Sequence, residues 1–232
     1  MLDDPPLLRV RRHWPRPETA LLAAFGDVPA GFVVDAQRGR GALERAIKPL
    51  FPQVAGMDRC CGPALTCACG PDDNMALAAA VALAAPGDVI VCATEAFEHG
   101  AVCGDLLAGM ARNKGVAGLI TDGVLRDGAG LRAMGLPVFA RGITPNSCVR
   151  SGPGTVGLPV VIGGRAIAPG DLVLADEDGV VTVPLAELGA VAARLEAVKA
   201  AEAAMLAKVE GGLASPPWVE ALFASGRVEW LD

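Results

Sequence analysis

The sequence predicts one compact domain of mixed α/β class. Three observations predict it. Hydrophobic residues make up 52% of a 232-residue chain, enough to bury a sizeable core. No linker-like stretch divides the chain after its first residues. Strand-like apolar runs and helix-like stretches are interleaved, with the β-runs too closely spaced for a regular βαβ alternation.

Residues 1–17 are rich in Pro and Arg and read as an arm, leaving 18–232 as the folded domain. Glu18 to Phe25 suits a first helix, and Phe32-Val33-Val34 a short strand. Gly41 to Ile47 looks helical and stops before Pro49. Residues 54–69 read as strand. Asp73 or Asn74 can then cap a helix running through Ala85. The tetrapeptide Ala-Pro-Gly-Asp occurs at 85–88 and again at 168–171, each time before an apolar run. Pro presets φ and Gly accepts φ > 0, so both copies predict type II turns that launch buried strands. Residues 102–114 suit a helix, and Val116 to Thr121 and Pro137 to Arg141 suit strands. Asp178-Gly179 between apolar runs signals a hairpin. Leu185 to Val209 is a long Ala-rich helix ending at Gly211-Gly212, with a short tail helix at about 217–225.

Charge and composition narrow the function. Net charge is −6 and the isoelectric point is near 5.0, which argues against a nucleic-acid binder. The densest basic cluster, Arg9, Arg11, Arg12 and Arg16, suits a solvated arm. The most apolar stretch, Met75 to Ala85, is too short to span a bilayer. Asp3 and Asp4 with no following apolar segment do not resemble a signal peptide. A cytoplasmic protein with reduced thiols is expected, so the seven cysteines are not a disulfide framework. Cys60-Cys61 and Cys67-x-Cys69 do not match structural zinc spacing, and the only histidines are His13 and His99. Core packing is the expected role of the cysteines.

Three segments compete to carry chemistry. Gly152-Pro-Gly154-Thr-Val-Gly157 fits G-x-G-x-x-G, but a strand-like run follows where a dinucleotide site needs a helix, so a turn-rich loop is expected. Asp176-Glu177-Asp178-Gly179 lacks EF-hand spacing and reads as a hairpin tip. The third is Gly104-Asp105-Leu106-Leu107 followed by Thr121 to Asp127. Its second half reads as a strand running into a loop that presents Asp122, Arg126 and Asp127. A cation beside a carboxylate there suits an anion bound together with a metal, although on the residues alone a surface ion pair is the plainer reading.

These residues resemble the RraA-like family, which includes 4-hydroxy-4-methyl-2-oxoglutarate/4-carboxy-4-hydroxy-2-oxoadipate aldolases. The aldolase hallmark of Asp, twenty residues, then Arg-Asp is reproduced by Asp105, residues 106–125 and Arg126-Asp127. The flanks Gly115-Val116-Ala117-Gly118, Gly135 to Arg141, Pro169-Gly170-Asp171 and Asp176 to Val180 are similar too, so the likeness runs from about residue 30 to about 212. The resemblance implies a layered β/β/α sandwich forming homotrimers or hexamers, with the active site at a subunit interface. It implies retro-aldol cleavage of a 4-hydroxy-2-oxo diacid to pyruvate and a second keto acid, with oxaloacetate decarboxylation as a side reaction. It implies that Asp127 holds Mg2+ or Mn2+ and that the backbone of Gly104, Asp105, Leu106 and Leu107 cradles the 2-oxo acid's carboxylate. It further implies that Arg126 faces the 2-oxo oxygen and that Asp105 orients a proton-shuttling water.

Departures and alternatives stand beside it. His99 occupies a position where a small or acidic residue is expected, and the arm has no counterpart in the family. Glu202, on the long helix, is where an acid recurs and would reach a neighbouring subunit. None of the four lysines, Lys48, Lys114, Lys199 and Lys208, sits in a stretch that would desolvate it, which disfavours a Schiff-base route. The competing reading is a protein-binding regulator of a ribonuclease. A methyltransferase would have only the weak glycine motif in its favour.

Overall fold

The computed structural model of the chain describes residues 6–231. Its first third holds β1 (Leu8–Val10), α1 (Thr19–Ala23), α2 (Ala30–Ala36), β2 (Lys48–Pro49), β3 (Cys60–Ala68) and α3 (Met75–Leu83). The middle runs through β4 (Val89–Ala93), β5 (Ala101–Cys103), α4 (Asp105–Asn113), β6 (Gly118–Thr121), β7 (Val124–Leu125), α5 (Gly128–Met134), β8 (Val138–Ala140) and β9 (Gly142–Ile143). The last part comprises β10 (Gly154–Val156), β11 (Val160–Ile162), β12 (Arg165–Ile167), β13 (Leu172–Asp176), β14 (Gly179–Val183), α6 (Leu188–Glu210) and α7 (Pro217–Phe223).

The heart of the fold is the parallel ladder β3-β4-β6-β8. Every residue of β4, β6 and β8 is buried, as expected for strands covered on both faces. One face packs Leu65, Ile90, Leu119 and Val138 against Leu77, Val81, Ala108 and Leu131 of helices α3, α4 and α5. The other packs Val89, Val91, Ile120 and Phe139 against β11–β14, through Val160, Ile162, Val173 and Val180. The outer side of the β13–β14 hairpin packs Leu172, Leu174 and Val181 against Val33, Leu188, Val191 and Leu195 of α2 and α6. The layered sandwich is therefore present, with α2 and α6 closing its far side.

Strand β3 joins the layers. Its first half, Cys60–Pro63, pairs with β13 and its second half, Ala64–Ala68, with β4. Gly62 lies at this change of partner, where a Cβ would stand 2.2 Å from the Gly87 carbonyl oxygen. Both Ala-Pro-Gly-Asp turns form as expected, with φ of 84° at Gly87 and 90° at Gly170. Each is closed by its own aspartate, since Asp88 accepts from Ala85 N (2.9 Å) and Asp171 from Ala168 N (2.8 Å).

Several expectations are corrected. A regular βαβ alternation does run from β3 to β8. The close spacing of the β-runs arises because β4, β6 and β8 are each followed by a short strand, β5, β7 or β9, in a separate three-stranded sheet. Phe32-Val33-Val34 lies in helix α2, not a strand, because Ala30, Val33 and Ala36 at threefold spacing bury one helical face. Gly41 to Ile47 is not helical: its first residues are extended and 45–46 form a turn. Thr182 N donates to Gly41 O (3.0 Å) and Leu43 N to Val180 O (2.9 Å), so its first residues bond to β14, and Ile47 N closes the turn on Glu44 O (3.2 Å). The helix expected over 102–114 begins only at Asp105, since 101–103 form β5. The glycine motif is a loop entering β10, with no helix after it, and Asp176-Gly179 closes the β13–β14 hairpin. The described part of the arm lies along the sheet. Strand β1 pairs with β10, and Arg16 forms an ion pair with the buried Asp88 at 2.7 Å. No helix among the described residues is long and apolar enough to cross a membrane.

Glycine substitutions separate packing from propensity. Gly62→Ala should cost about 1–3 kcal/mol by forcing backbone apart at the β3 corner. Gly189→Ala, with open space around its would-be Cβ on α6, should stabilise by about 0.5 kcal/mol. Urea denaturation of both variants checks the contrast.

Candidate active site

Strands β5, β7 and β9 run parallel, with Ala101 opposite Val124 and Val124 opposite Gly142, and the register of β5 shifts between Ala101 and Cys103. The ladder continues past their ends, where Arg126 N donates to Cys103 O (3.0 Å) and Thr144 N to Leu125 O (2.8 Å). Three segments therefore emerge side by side: Gly104 with the start of α4, Arg126-Asp127 with the start of α5, and the loop from Thr144. Between them lies a cleft of about 140 Å3. Gly104, Asp105, Leu106, Leu107, Arg126 and Asp127 all line it, so the structure gathers the complete set of sequence-predicted site residues.

Each is placed by local rules. Gly104 caps α4 with extended backbone and no side-chain cap, which leaves the amides of the first turn open to an anion. A Cβ on Gly104 would stand 2.5 Å from Asp127 Oδ2 and 3.2 Å from Arg126 Nε, so a side chain there would displace the pair. Asp127 adopts the left-handed conformation (φ 60°, ψ 47°) at the N-cap of α5. Arg126 Nε lies 3.2 Å from Asp127 Oδ2, with both side chains about 40% exposed (39% and 43%). A pair that exposed is worth only about 0–1 kcal/mol. Arg126 also donates through Nη1 to Ser147 Oγ. The Asp105 carboxylate is seated against α5, since a Cβ on Gly130 would come within 2.2 Å of its Oδ2.

Other candidates fall elsewhere. Asp122 is buried and accepts from Thr94 N (2.7 Å), Thr94 Oγ1 (3.0 Å) and Ala96 N (3.1 Å), so it holds the loop after β4 and is not presented beside Arg126. His99, beside Phe97, and Glu202, on the exposed half of α6, do not line the cleft of this chain. None of the four lysines is buried.

The structure adds residues that sequence reasoning missed: Asn74, Ser147, Cys148 and Arg150, with Ala101 of β5, complete the lining. Asp73 pins them. Its carboxylate accepts from Met75 N (2.8 Å), Ser151 N and Gly152 N (2.9 Å), tying the 144–153 loop to the start of α3. Burial pushes the Asp73 carboxyl up, but the three amides outweigh it and hold it below the usual carboxylate range. The only sequence signal for this wall was a long stretch without regular pattern after β9. The neighbouring thiols are poor ligands: burial pushes Cys103 up to about 12 and also raises Cys148.

Among the described residues, no group of three or more His, Cys, Asp or Glu side chains is arranged to hold a metal ion. Asp127 is a hard oxygen donor with open space around it. That fits a cation such as Mg2+, which keeps several waters and takes only one or two protein carboxylates.

Known proteins are similar to this chain in sequence and in fold. A family model described as RraA-like, Aldolase/RraA, matches residues 31–182. A Halalkalibacterium halodurans protein provisionally named 4-hydroxy-4-methyl-2-oxoglutarate aldolase is 36% identical over 167 residues, 72% of this chain and 78% of that protein. An uncharacterized protein of Pseudomonas syringae pv. tomato superposes with a TM-score of 0.73 at 27% identity, over 86% of this chain and 96% of that one. A Streptomyces coelicolor protein, described as an unusual member of the RNase ES inhibitor RraA family, superposes with a TM-score of 0.71 at 27% identity, over 84% and 100% of the two chains.

Asp73 supplies a pH test of the cleft's support. With its folded pKa depressed, its contribution is fully present above the unfolded value of about 4 and fades as pH falls through the folded value. Asp73→Asn should lose about 1–3 kcal/mol at pH 7. In urea titrations the gap from wild type should narrow as the pH drops below about 4.

Proposed function

The chain belongs to the RraA-like family, Aldolase/RraA, and from that membership we propose that it is a pyruvate aldolase. The reaction is retro-aldol cleavage of a 4-hydroxy-2-oxo diacid to pyruvate and a second keto acid, supported by a divalent metal, Mg2+ or Mn2+. The observation that carries the reading is the convergence of Arg126, Asp127 and the uncapped start of α4 on one small cleft. At about 140 Å3 the cleft suits a small acid and not a dinucleotide or an adenosyl cofactor.

In this reading the amides of residues 105–107 receive the carboxylate next to the 2-oxo group, where the helix N-terminus favours negative charge. The Arg126 guanidinium faces the 2-oxo oxygen. As the bond between C3 and C4 breaks, its electron pair moves onto that oxygen, and Arg126 stabilises the charge that develops. Asp105 orients a water that takes the proton of the 4-hydroxyl and returns a proton to C3, giving the methyl group of pyruvate. Asp127 would hold the metal ion, with waters completing its shell. A bound divalent cation supplies Lewis-acid polarisation of the 2-oxo oxygen. Oxaloacetate passes through the same enolate, so its decarboxylation belongs to the same reading.

Assembly as a homotrimer or hexamer belongs to it too, with the site at a subunit interface. The second reading, a protein-binding regulator of a ribonuclease without aldolase activity, is favoured by the Streptomyces relative.

Pyruvate release from a panel of 4-hydroxy-2-oxo diacids, with and without Mg2+, tests the proposal. Arg126→Ala should lower kcat and kcat/KM together by about 100- to 1,000-fold. Arg126→Lys should recover little, because it loses the planar fork. Asp127→Asn should raise the Mg2+ concentration needed for activity, and excess Mg2+ should partly restore turnover. Full turnover after exhaustive EDTA treatment would sink the metal route. Normal turnover of a folded but destabilised Arg126→Ala would make the pair structural and bring the regulator reading forward.

A further inference from the structure

The cleft contains a second guanidinium for which the cleavage step has no use. Arg150, an exposed residue of the 144–153 loop, lines the cleft, and one hydrogen bond holds its side chain there. Its Nε donates to Asn74 Oδ1 at 3.2 Å, and Asn74 is itself 7% exposed at the start of α3. The backbone on either side of Arg150 is pinned as well. Val149 O accepts from Asn74 N (3.1 Å), Val149 N donates to Asp72 O (2.8 Å), and Ser151 and Gly152 donate to Asp73. A free surface arginine keeps its rotamer freedom, and ordering it is worth about 2 kcal/mol of lost entropy. Here the bond to Asn74 offsets part of that cost and leaves the far end of the side chain unused. Among the described residues, neither terminal amino group of Arg150 has a hydrogen-bond partner, and Arg150 forms no salt bridge. Arg126, by contrast, is engaged by Asp127 and Ser147.

The charge balance points the same way. The ionisable acids and bases lining the cleft are Asp105, Asp127, Arg126 and Arg150, and their charges cancel. Adding the divalent cation of the proposed reaction leaves a charge of two positive units. A dicarboxylate neutralises it, whereas a monocarboxylate leaves one positive charge uncompensated. A guanidinium with both terminal amino groups free is built for two parallel hydrogen bonds to a carboxylate.

We infer that Arg150 is a specificity-determining residue that binds the distal carboxylate of a 2-oxo dicarboxylate whose 2-oxo end lies at Arg126. The inference rests on the aldolase reading for which end of the ligand lies where. Arg150 thereby selects diacids over monoacids of the same length, and Asn74 and Asp73 are the positioning residues that hold it ready.

The test is binding, read by isothermal titration calorimetry on the Mg2+-loaded protein. The probes are 2-oxoglutarate and 2-oxopentanoate, which differ only in the distal carboxylate. Neither has a 4-hydroxyl group, so neither is cleaved by the proposed reaction. Wild type should bind 2-oxoglutarate about 10- to 100-fold more tightly than 2-oxopentanoate, the range expected for one charged hydrogen-bonding partner. Arg150→Gln should abolish that preference by weakening 2-oxoglutarate alone, and Arg150→Lys should retain part of it, with the melting temperature of each variant confirming the fold. A wild type that binds both probes equally or binds neither overturns the assignment. So does a folded Arg150→Gln or Arg150→Lys that weakens both probes alike, or an Arg150→Gln that keeps the wild-type preference. Pyruvate release separates this from the function itself. A protein that cleaves no 4-hydroxy-2-oxo diacid yet shows the Arg150-dependent preference loses the aldolase reading and keeps this one. A protein that cleaves them, with the preference intact in Arg150→Gln, does the reverse.

Discussion

Everything in the candidate site depends on three very short strands ending at the same edge. β5, β7 and β9 contribute only seven residues in all (three, two and two). Yet their parallel register delivers Gly104, Arg126 and Thr144 to one place. Parallel strands put all their carboxyl ends on one side, and that side is where open α/β sheets bind ligands. The main ladder makes the register possible. After each of β4, β6 and β8 the chain passes through the small sheet, and after β5 and β7 it returns by way of α4 and α5. Two sheets are thus threaded by one βαβ repeat, and the site forms where the smaller one stops.

This threading explains what was legible in the sequence. The long apolar runs of β4, β6 and β13 were plain, because burial on both faces leaves no polar residue to interrupt them. The paired Ala-Pro-Gly-Asp turns were equally plain, because their chemistry is local. The two- and three-residue strands were invisible, since no periodicity can be read over so few residues. Their presence also made a regular alternation look irregular. Phe32 to Val34 shows a different limit. Three β-favouring residues in a row carry the strand signal, but the helix is decided by Ala30, Val33 and Ala36 finding α6, more than 150 residues away. Arg194 Nε then donates to Ala36 O at 2.7 Å and closes the helix end, a contact no local window contains.

Of the site itself, the half that follows chain order was legible and the half that depends on folding was not. The spacing between Asp105 and Arg126 carries structural meaning. It is the length of one helix, one strand of the main sheet and the return to the strand beside β5. Asn74, Ser147 and Arg150 have no such spacing relation, because they come from α3 and from an irregular loop. What unites them is Asp73, whose buried carboxylate gathers three amides from two segments. A buried acid satisfied entirely by backbone leaves no mark in a sequence beyond being an aspartate.

The last constraint lies between two neighbouring residues. In a strand, adjacent side chains point to opposite faces, so Arg126 and Asp127 should not face one cleft if β7 simply continued. The left-handed conformation of Asp127, at φ 60°, breaks that alternation, and the carboxylate comes round to within 3.2 Å of Arg126 Nε. A non-glycine residue held there costs about 1–2 kcal/mol. The half-exposed ion pair it produces returns about 0–1 kcal/mol. Stability alone would therefore not select this turn, and a glycine at 127 would relieve the strain at no loss to α5. The turn makes sense if the two charges must face the same ligand. The absence of a side chain at Gly104 is the matching concession, for it leaves the Asp127 carboxylate room directly over the open end of α4.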